Sequence, residues 1–148
     1  MSNLGPALKL IKKYEGCVLT PYLCPAGIPT IGYGTTFGFD LKPITMNHRA
    51  ISEEEADALL YLAADDLNHE IRRLAKKELG ENKLCALISF VYNIGVGAFS
   101  KSSLLKKVVK DDSDDSIEGE FLRWNKCGGL VMRGLTKRRI AEAKLYFS

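Results

Sequence analysis

A chain of 148 residues that is 46% hydrophobic, 26% charged and 9% aromatic is long enough to bury a core without disulfide staples or a structural metal. Its formal net charge of +3 is mild, with basic residues scattered through 9–13, 72–77, 106–110 and 137–139. This implies weak affinity for polyanions and argues against nucleic-acid recognition. No apolar run approaches the roughly eighteen residues of a membrane span, and the amino terminus lacks a charged start followed by an apolar core, so a soluble, cytoplasmic product with no membrane insertion is expected.

Leu4, Ala7, Leu8 and Ile11 follow a helical period with lysines at 9, 12 and 13 between them, which predicts an amphipathic helix ending near Tyr14 to Gly16. Glu15 then sits at the C-terminal end of that helix, where the macrodipole is negative and disfavours a second negative charge. That position suits a proton donor. From Cys17 to Phe39 the period is lost, and Thr, Tyr, Val and Ile alternate with Pro21, Pro25, Gly27, Pro29, Gly32, Gly34 and Gly38, the pattern of short strands joined by tight turns. Pro25-Ala26-Gly27 is expected to turn a hairpin carrying Cys24 on one arm and Thr30 on the other, which brings the two side chains together.

Ser52-Glu53-Glu54-Glu55 reads as a capping box, followed by a long helix to about Leu74. Residues 84–94 are apolar nearly all round, as expected of a helix buried at the centre of a helical lobe. Shorter helices are expected over 101–109, 117–124 and 136–147. The acidic stretch 111–116 reads as a solvated loop with a helix cap at its end; it lacks the Gly and closing Glu of a calcium loop. There is no internal repeat, linker or low-complexity tail.

The four cysteines, Cys17, Cys24, Cys85 and Cys127, are too few and too unevenly spaced for a secreted disulfide framework, and none forms a Cys-x-x-Cys pair. Cys85 reads as a small buried apolar residue. Glu15, Cys24 and Thr30, followed by Ile31-Gly32-Tyr33-Gly34, carry a sharper chemistry. Cleaving an acetal needs a proton donor on one face of the bond and a polar group that holds or activates water on the other. Glu15 can donate, with Cys24 and Thr30 on the water side. A cysteine-peptidase reading would need a histidine base, but His48 and His69 lie in no motif and read as surface residues. Taken singly, Glu15 would be a solvated helix end, Cys24 a buried small residue, Thr30 a strand residue and Trp124 core.

Tyr14-Glu15-Gly16, Pro21-Tyr22 and Pro29-Thr30-Ile31-Gly32-Tyr33-Gly34 resemble the amino-terminal signature of the phage-type lysozymes, the endolysin family that cleaves bacterial peptidoglycan. Residues 89–95, Gly97-Ala98-Phe99 and 102–105 resemble its central helix and following turn. Trp124, Gly128-Gly129, Gly134-Leu135, Arg138-Arg139 and Glu142 resemble its carboxy-terminal pattern. The resemblance implies an α+β fold, mostly helical: one domain over 1–148, with a small β-hairpin lobe and a helical lobe joined by the long helix, the glycan lying in the cleft between lobes.

It further implies hydrolysis of the β-1,4 bond between N-acetylmuramic acid and N-acetylglucosamine. Glu15 would be the proton donor, Cys24 would stand where most members have Asp and some Cys, and Thr30 would help to hold the attacking water. Gly34, Thr36, Tyr92 and Ser102 fall near sugar-contacting positions, and Trp124 is expected to meet Asn93 at the base of the cleft. No metal or organic cofactor is implied. The implied protein is a monomer that waits in the host cytoplasm and reaches the periplasm and wall through a separate holin.

Two positions depart from the family pattern. Thr35 stands where a histidine is common, which bears on stability more than on chemistry. Cys24 replaces a carboxylate with a thiol that is ordinarily neutral at pH 7 and that a neighbouring carboxylate would push further that way, so either the site lowers its pKa or the thiol acts by hydrogen bonding. Oxidation pairing Cys17 with Cys24 would silence such a site. The rival reading from another class is a non-catalytic peptidoglycan-binding relative.

Overall fold

The computed structural model describes residues 3–148 and is mostly helical, with two small antiparallel ribbons. In chain order the elements are α1 (Gly5–Glu15), β1 (Val18–Leu23), β2 (Pro29–Gly32), α2 (Glu53–Ala75), α3 (Glu81–Ile94), α4 (Val96–Ser100), α5 (Ser103–Lys110), α6 (Ile117–Leu122), β3 (Lys126–Cys127), β4 (Leu130–Val131) and α7 (Arg133–Tyr146). The chain separates into two compact units. One is Ile11–Ala63, and the other joins the segment ending at Leu10 to Ala64–Ser148.

In the hairpin unit, β1 and β2 pair with Val18 opposite Gly32, Tyr22 opposite Thr30 and Leu23 opposite Pro29, and a bulge between Val18 and Tyr22 twists the ribbon. One face of this ribbon is apolar. Ile31, Ile44, Ile51, Ala56 and Leu59 form a buried cluster covered by Leu19 and Tyr33, and Ile51 N–H closes on the Leu19 carbonyl at 2.9 Å. The start of α2 is the capping box that its sequence announces. Ser52 N–H donates to Glu55 Oε1 and Glu55 N–H to Ser52 Oγ, both at 3.1 Å. The Arg49 guanidinium, with the Ser52 amide behind it, holds the Glu55 carboxyl down at about 2.

In the helical unit, α3 is buried from Leu84 to Val91 without interruption, as expected of a helix with no polar stripe. Phe90 is its hub, meeting Phe99, Phe121 and Trp124 edge to face at centroid distances of 6.3, 5.2 and 5.9 Å. Cys85 is fully buried and donates its S–H to the Asn3 carbonyl at 3.3 Å.

Helix α7 locks onto α3 through a buried ionic cluster. Glu142, Arg139 and Arg138 are 0%, 0% and 3% exposed. Glu142 Oε2 accepts from Ser89 Oγ at 2.6 Å, Arg139 Nη2 at 3.1 Å and Arg138 Nε at 3.3 Å. Arg139 Nε lies 2.7 Å from Oε1, and Arg138 Nη2 donates to the Ser89 carbonyl at 3.0 Å. Burial pushes the Glu142 carboxyl up toward its neutral form, and Arg139, Ser89 and Arg138 oppose that.

Several expectations from sequence need correcting. Arg138 and Arg139 are buried in the interior against Glu142 and add nothing to a basic surface. Trp124 packs on Phe90, while Asn93 is exposed. The expected helix cap at the end of the acidic loop is not made: Ser116 makes no side-chain cap for α6, and Asp114 closes a local turn by accepting from the N–H and the hydroxyl of Ser116.

Candidate active site

The hairpin unit carries the first three candidates, Glu15 at the end of α1 and Cys24 and Thr30 at the β1–β2 turn. Helix α1 ends at Glu15 because Gly16 follows with φ +70°, a left-handed backbone that glycine adopts without a Cβ penalty and that turns the chain into β1. Glu15 is thereby held half-buried at a helix end. Eight residues on, Cys24 N–H donates to the Ile28 carbonyl at 3.1 Å and Gly27 N–H to the Cys24 carbonyl at 2.8 Å. These bonds make a three-residue loop of Pro25, Ala26 and Gly27 between paired strands. Cys24 thus opens the turn, just past the end of β1, and Thr30 lies one residue into β2.

At the head of a tight turn, a short polar side chain can accept hydrogen bonds from the main chain of its own loop. The Cys24 sulfur does so. Its pKa lies below the usual thiol value, chiefly because of a backbone hydrogen bond from Ile28, opposed by partial burial and reinforced by the Ala26 backbone and the Thr30 side chain. Amides aimed at a sulfur favour its charged form. Of the two resolutions open in the sequence, the turn supports a lowered pKa.

Thr30 is 3% exposed, and its hydroxyl donates to the Ile28 carbonyl at 2.8 Å. A hydroxyl has one proton and two lone pairs. With its proton on Ile28 it can accept from a neutral thiol, and when turned toward Cys24 it can donate to a thiolate.

Tyr22 is a member of the site that sequence reasoning passed over. It stands opposite Thr30 in the ladder, and burial, then Glu15, then Cys24 push its phenol up. It is therefore within electrostatic reach of both the carboxyl and the thiol. The only signal was its place in the Pro21-Tyr22 pair.

All four cysteines are free, and Cys17 meets the Tyr33 hydroxyl, whose pKa is pushed up to about 12 by burial, then Cys17 and Asp57. Thr35 is 7% exposed, and its Oγ1 has no partner among the described residues.

The other candidates are distributed between the two units. Gly34 and Thr36 are half-buried in the segment after β2, and Tyr92 is half-buried near the end of α3 in the helical unit. Ser102 has a structural occupation. At 5% exposure its Oγ donates to the Phe99 carbonyl at 2.7 Å and accepts from Leu105 N–H at 3.1 Å, capping α5. Neither histidine supports a peptidase. His48 Nδ1 engages the Arg49 carbonyl and His69 faces Asp65 on α2. Among the described residues, no group of three or more His, Cys, Asp or Glu is arranged to hold a metal, and no helix is long and apolar enough to cross a membrane.

A glutamate at the end of the first helix, a hairpin turn that carries a polar side chain and a threonine, and a mostly helical fold of this kind define a class. The chain belongs to the phage lysozyme family, whose profile matches residues 12–142. An endolysin of Acyrthosiphon pisum secondary endosymbiont phage 1 is 37% identical over 145 residues, covering 95% of this chain and 94% of that protein. The endolysin of Bacillus phage B103 is 36% identical across 99% of this chain but only 54% of its own length. The chain thus spans about half the length of the Bacillus phage relatives it matches. Among solved structures, an endolysin from Escherichia coli O157:H7 phage FAHEc1 superposes with a TM-score of 0.81 at 32% identity, covering 96% of this chain and 90% of the other.

Proposed function

We propose that this chain is a muramidase of the endolysin type, hydrolysing the β-1,4 bond between N-acetylmuramic acid and N-acetylglucosamine in bacterial peptidoglycan, with the matched residues 12–142 acting as one catalytic domain. The observation that carries the reading is the Cys24 sulfur, seated on the amides of its own turn beside Thr30 and sharing Tyr22 as a neighbour with Glu15. Glu15 gives its proton to the glycosidic oxygen as the bond to the anomeric carbon breaks. Cys24 takes a proton from the water that adds to that carbon. Thr30, too buried to offer water a broad face, orients the sulfur and through it the water.

Addition of water opposite the leaving group inverts the anomeric centre, which requires a gap of roughly 6.5–9.5 Å between acid and base. Gly34, Thr36 and Tyr92 are the proposed sugar contacts, with Ser102 serving as the helix cap behind them in sequence. The proposed biology is that of a monomer held in the host cytoplasm until a holin or equivalent lesion admits it to the wall.

The test is clearing of permeabilised Gram-negative cells. Wild type should clear the suspension, and Glu15→Gln should lower the rate by about 10²–10⁴-fold, the usual contribution of a positioned general acid. Proton NMR of the fresh product on a defined oligosaccharide should show the inverted anomer. Binding to the wall without clearing by wild type would leave a non-catalytic peptidoglycan-binding relative and overturn the proposal.

A further inference from the structure

The segment between Glu120 and Glu142 contains no acidic residue but six basic ones. Two of them, Arg138 and Arg139, are buried against Glu142. The remainder of this segment includes the β3–β4 ribbon, where Lys126 pairs with Val131 and Cys127 with Leu130. Gly128 and Gly129 turn it with φ +59° and +82°, the two successive positive φ values that a two-residue hairpin demands. Asn125 fastens its base, its carbonyl accepting from Met132 N–H at 2.8 Å and its side chain donating to Thr136 Oγ1 at 3.1 Å.

The ribbon presents an apolar tip to water. Leu130, Val131 and Met132 are 71%, 63% and 45% exposed, and a Cβ built on either turn glycine meets nothing within 4 Å. Three consecutive exposed aliphatic residues on a closed hairpin are costly in water unless something covers them. Exposed cations flank the tip. Lys126 lies on β3, and Arg133 opens α7 directly after Met132.

We propose that the β3–β4 hairpin is a peripheral membrane contact, with Leu130, Val131 and Met132 entering the headgroup boundary of an anionic phospholipid bilayer while Lys126 and Arg133 pair with its phosphates. This combination of aliphatic tip and cationic rim matches a surface that is apolar below and negative above. Glycan strands and their peptide carboxylates would satisfy the cations but offer no apolar phase for the tip. The contact lies on the membrane without spanning it, and it stands independently of the proposed catalytic chemistry.

The experiment is co-sedimentation of the full chain with vesicles of equal parts phosphatidylglycerol and phosphatidylcholine, against vesicles of phosphatidylcholine alone. The wild-type chain should pellet with the mixed vesicles, fail to pellet with the neutral ones and be released by salt. Each cation at an anionic surface contributes about fivefold in partition, so Lys126→Gln with Arg133→Gln should weaken binding by about 25-fold. Leu130→Ser with Val131→Ser should weaken it by about tenfold, with unchanged hydrolysis of lipid-free sacculi. Equal binding to both vesicle types by wild type, which needs no variant to measure, overturns the proposal. Unchanged vesicle binding by the serine pair does so too, as does a loss that appears on lipid-free sacculi instead, which would assign the hairpin to the wall.

Discussion

Removing the Glu142 carboxylate is the most demanding test of how the helical unit is held together. Glu142→Ala leaves two guanidiniums, Arg138 at 3% and Arg139 at 0% exposure, without the anion both of them face, and it frees the Ser89 hydroxyl that donates at 2.6 Å. Breaking a buried ion pair on one side costs about 3–5 kcal/mol. A chain of this size has a total stability of roughly 7–22 kcal/mol at about 0.05–0.15 kcal/mol per residue, so the loss is a large fraction of what holds the fold.

With a urea slope near 2 kcal/mol/M, the unfolding midpoint should fall by about 2 M, and the melting temperature by about 10 °C. Trp124 is the reporter, because it is the only tryptophan, packs on Phe90 and has its carbonyl 3.4 Å from Arg139 Nη1. Glu142→Gln keeps the shape but turns an amide N–H₂ toward cations, so it should lose most of the same stability. If Glu142→Ala unfolds within about 1 kcal/mol of wild type, the carboxyl is not neutralising those charges and the reasoning fails.

Two further outcomes follow from the site. If the Cys24 thiolate accepts the proton of water, lytic activity should rise with pH through the Cys24 pKa, which lies below the usual thiol value; Cys24→Asp should carry that limb far toward acid, and superimposable pH profiles for the two proteins would rule out a titrating thiol. Ser102→Ala should cost about 1 kcal/mol of stability by uncapping α5 while leaving the KM for oligosaccharide in place, and a raised KM at unchanged stability would instead make Ser102 a sugar contact.

Much of the fold was legible because its signals are local. The period of Leu4, Ala7 and Ile11 marks α1, the Ser52–Glu55 reciprocity marks the start of α2, and the Pro25-Ala26-Gly27 turn marks the first hairpin. What escaped had no local signal. Strands β3 and β4 are two residues each and exposed on both faces, so they show no alternation, and α4 lies among Gly95 and Gly97 where helical propensity is poor. Arg138, Arg139 and Glu142 stand at i, i+3 and i, i+4 spacings that a solvated helix face would also show, and only the packing of α7 on α3 buries them. At the site, the closeness of Cys24 and Thr30 follows from hairpin logic, but the amides of Ala26 and Ile28 are main-chain donors that every sequence possesses, and only the turn aims them at a sulfur.

That provenance matters beyond this chain. Groups supplied by the main chain survive any substitution at position 24, so a carboxylate, an amide, an alcohol or a thiol placed there inherits the same ready-made seat. The residue can then be exchanged to retune the acidity range in which a protein of this kind operates, without redesigning the pocket that receives it.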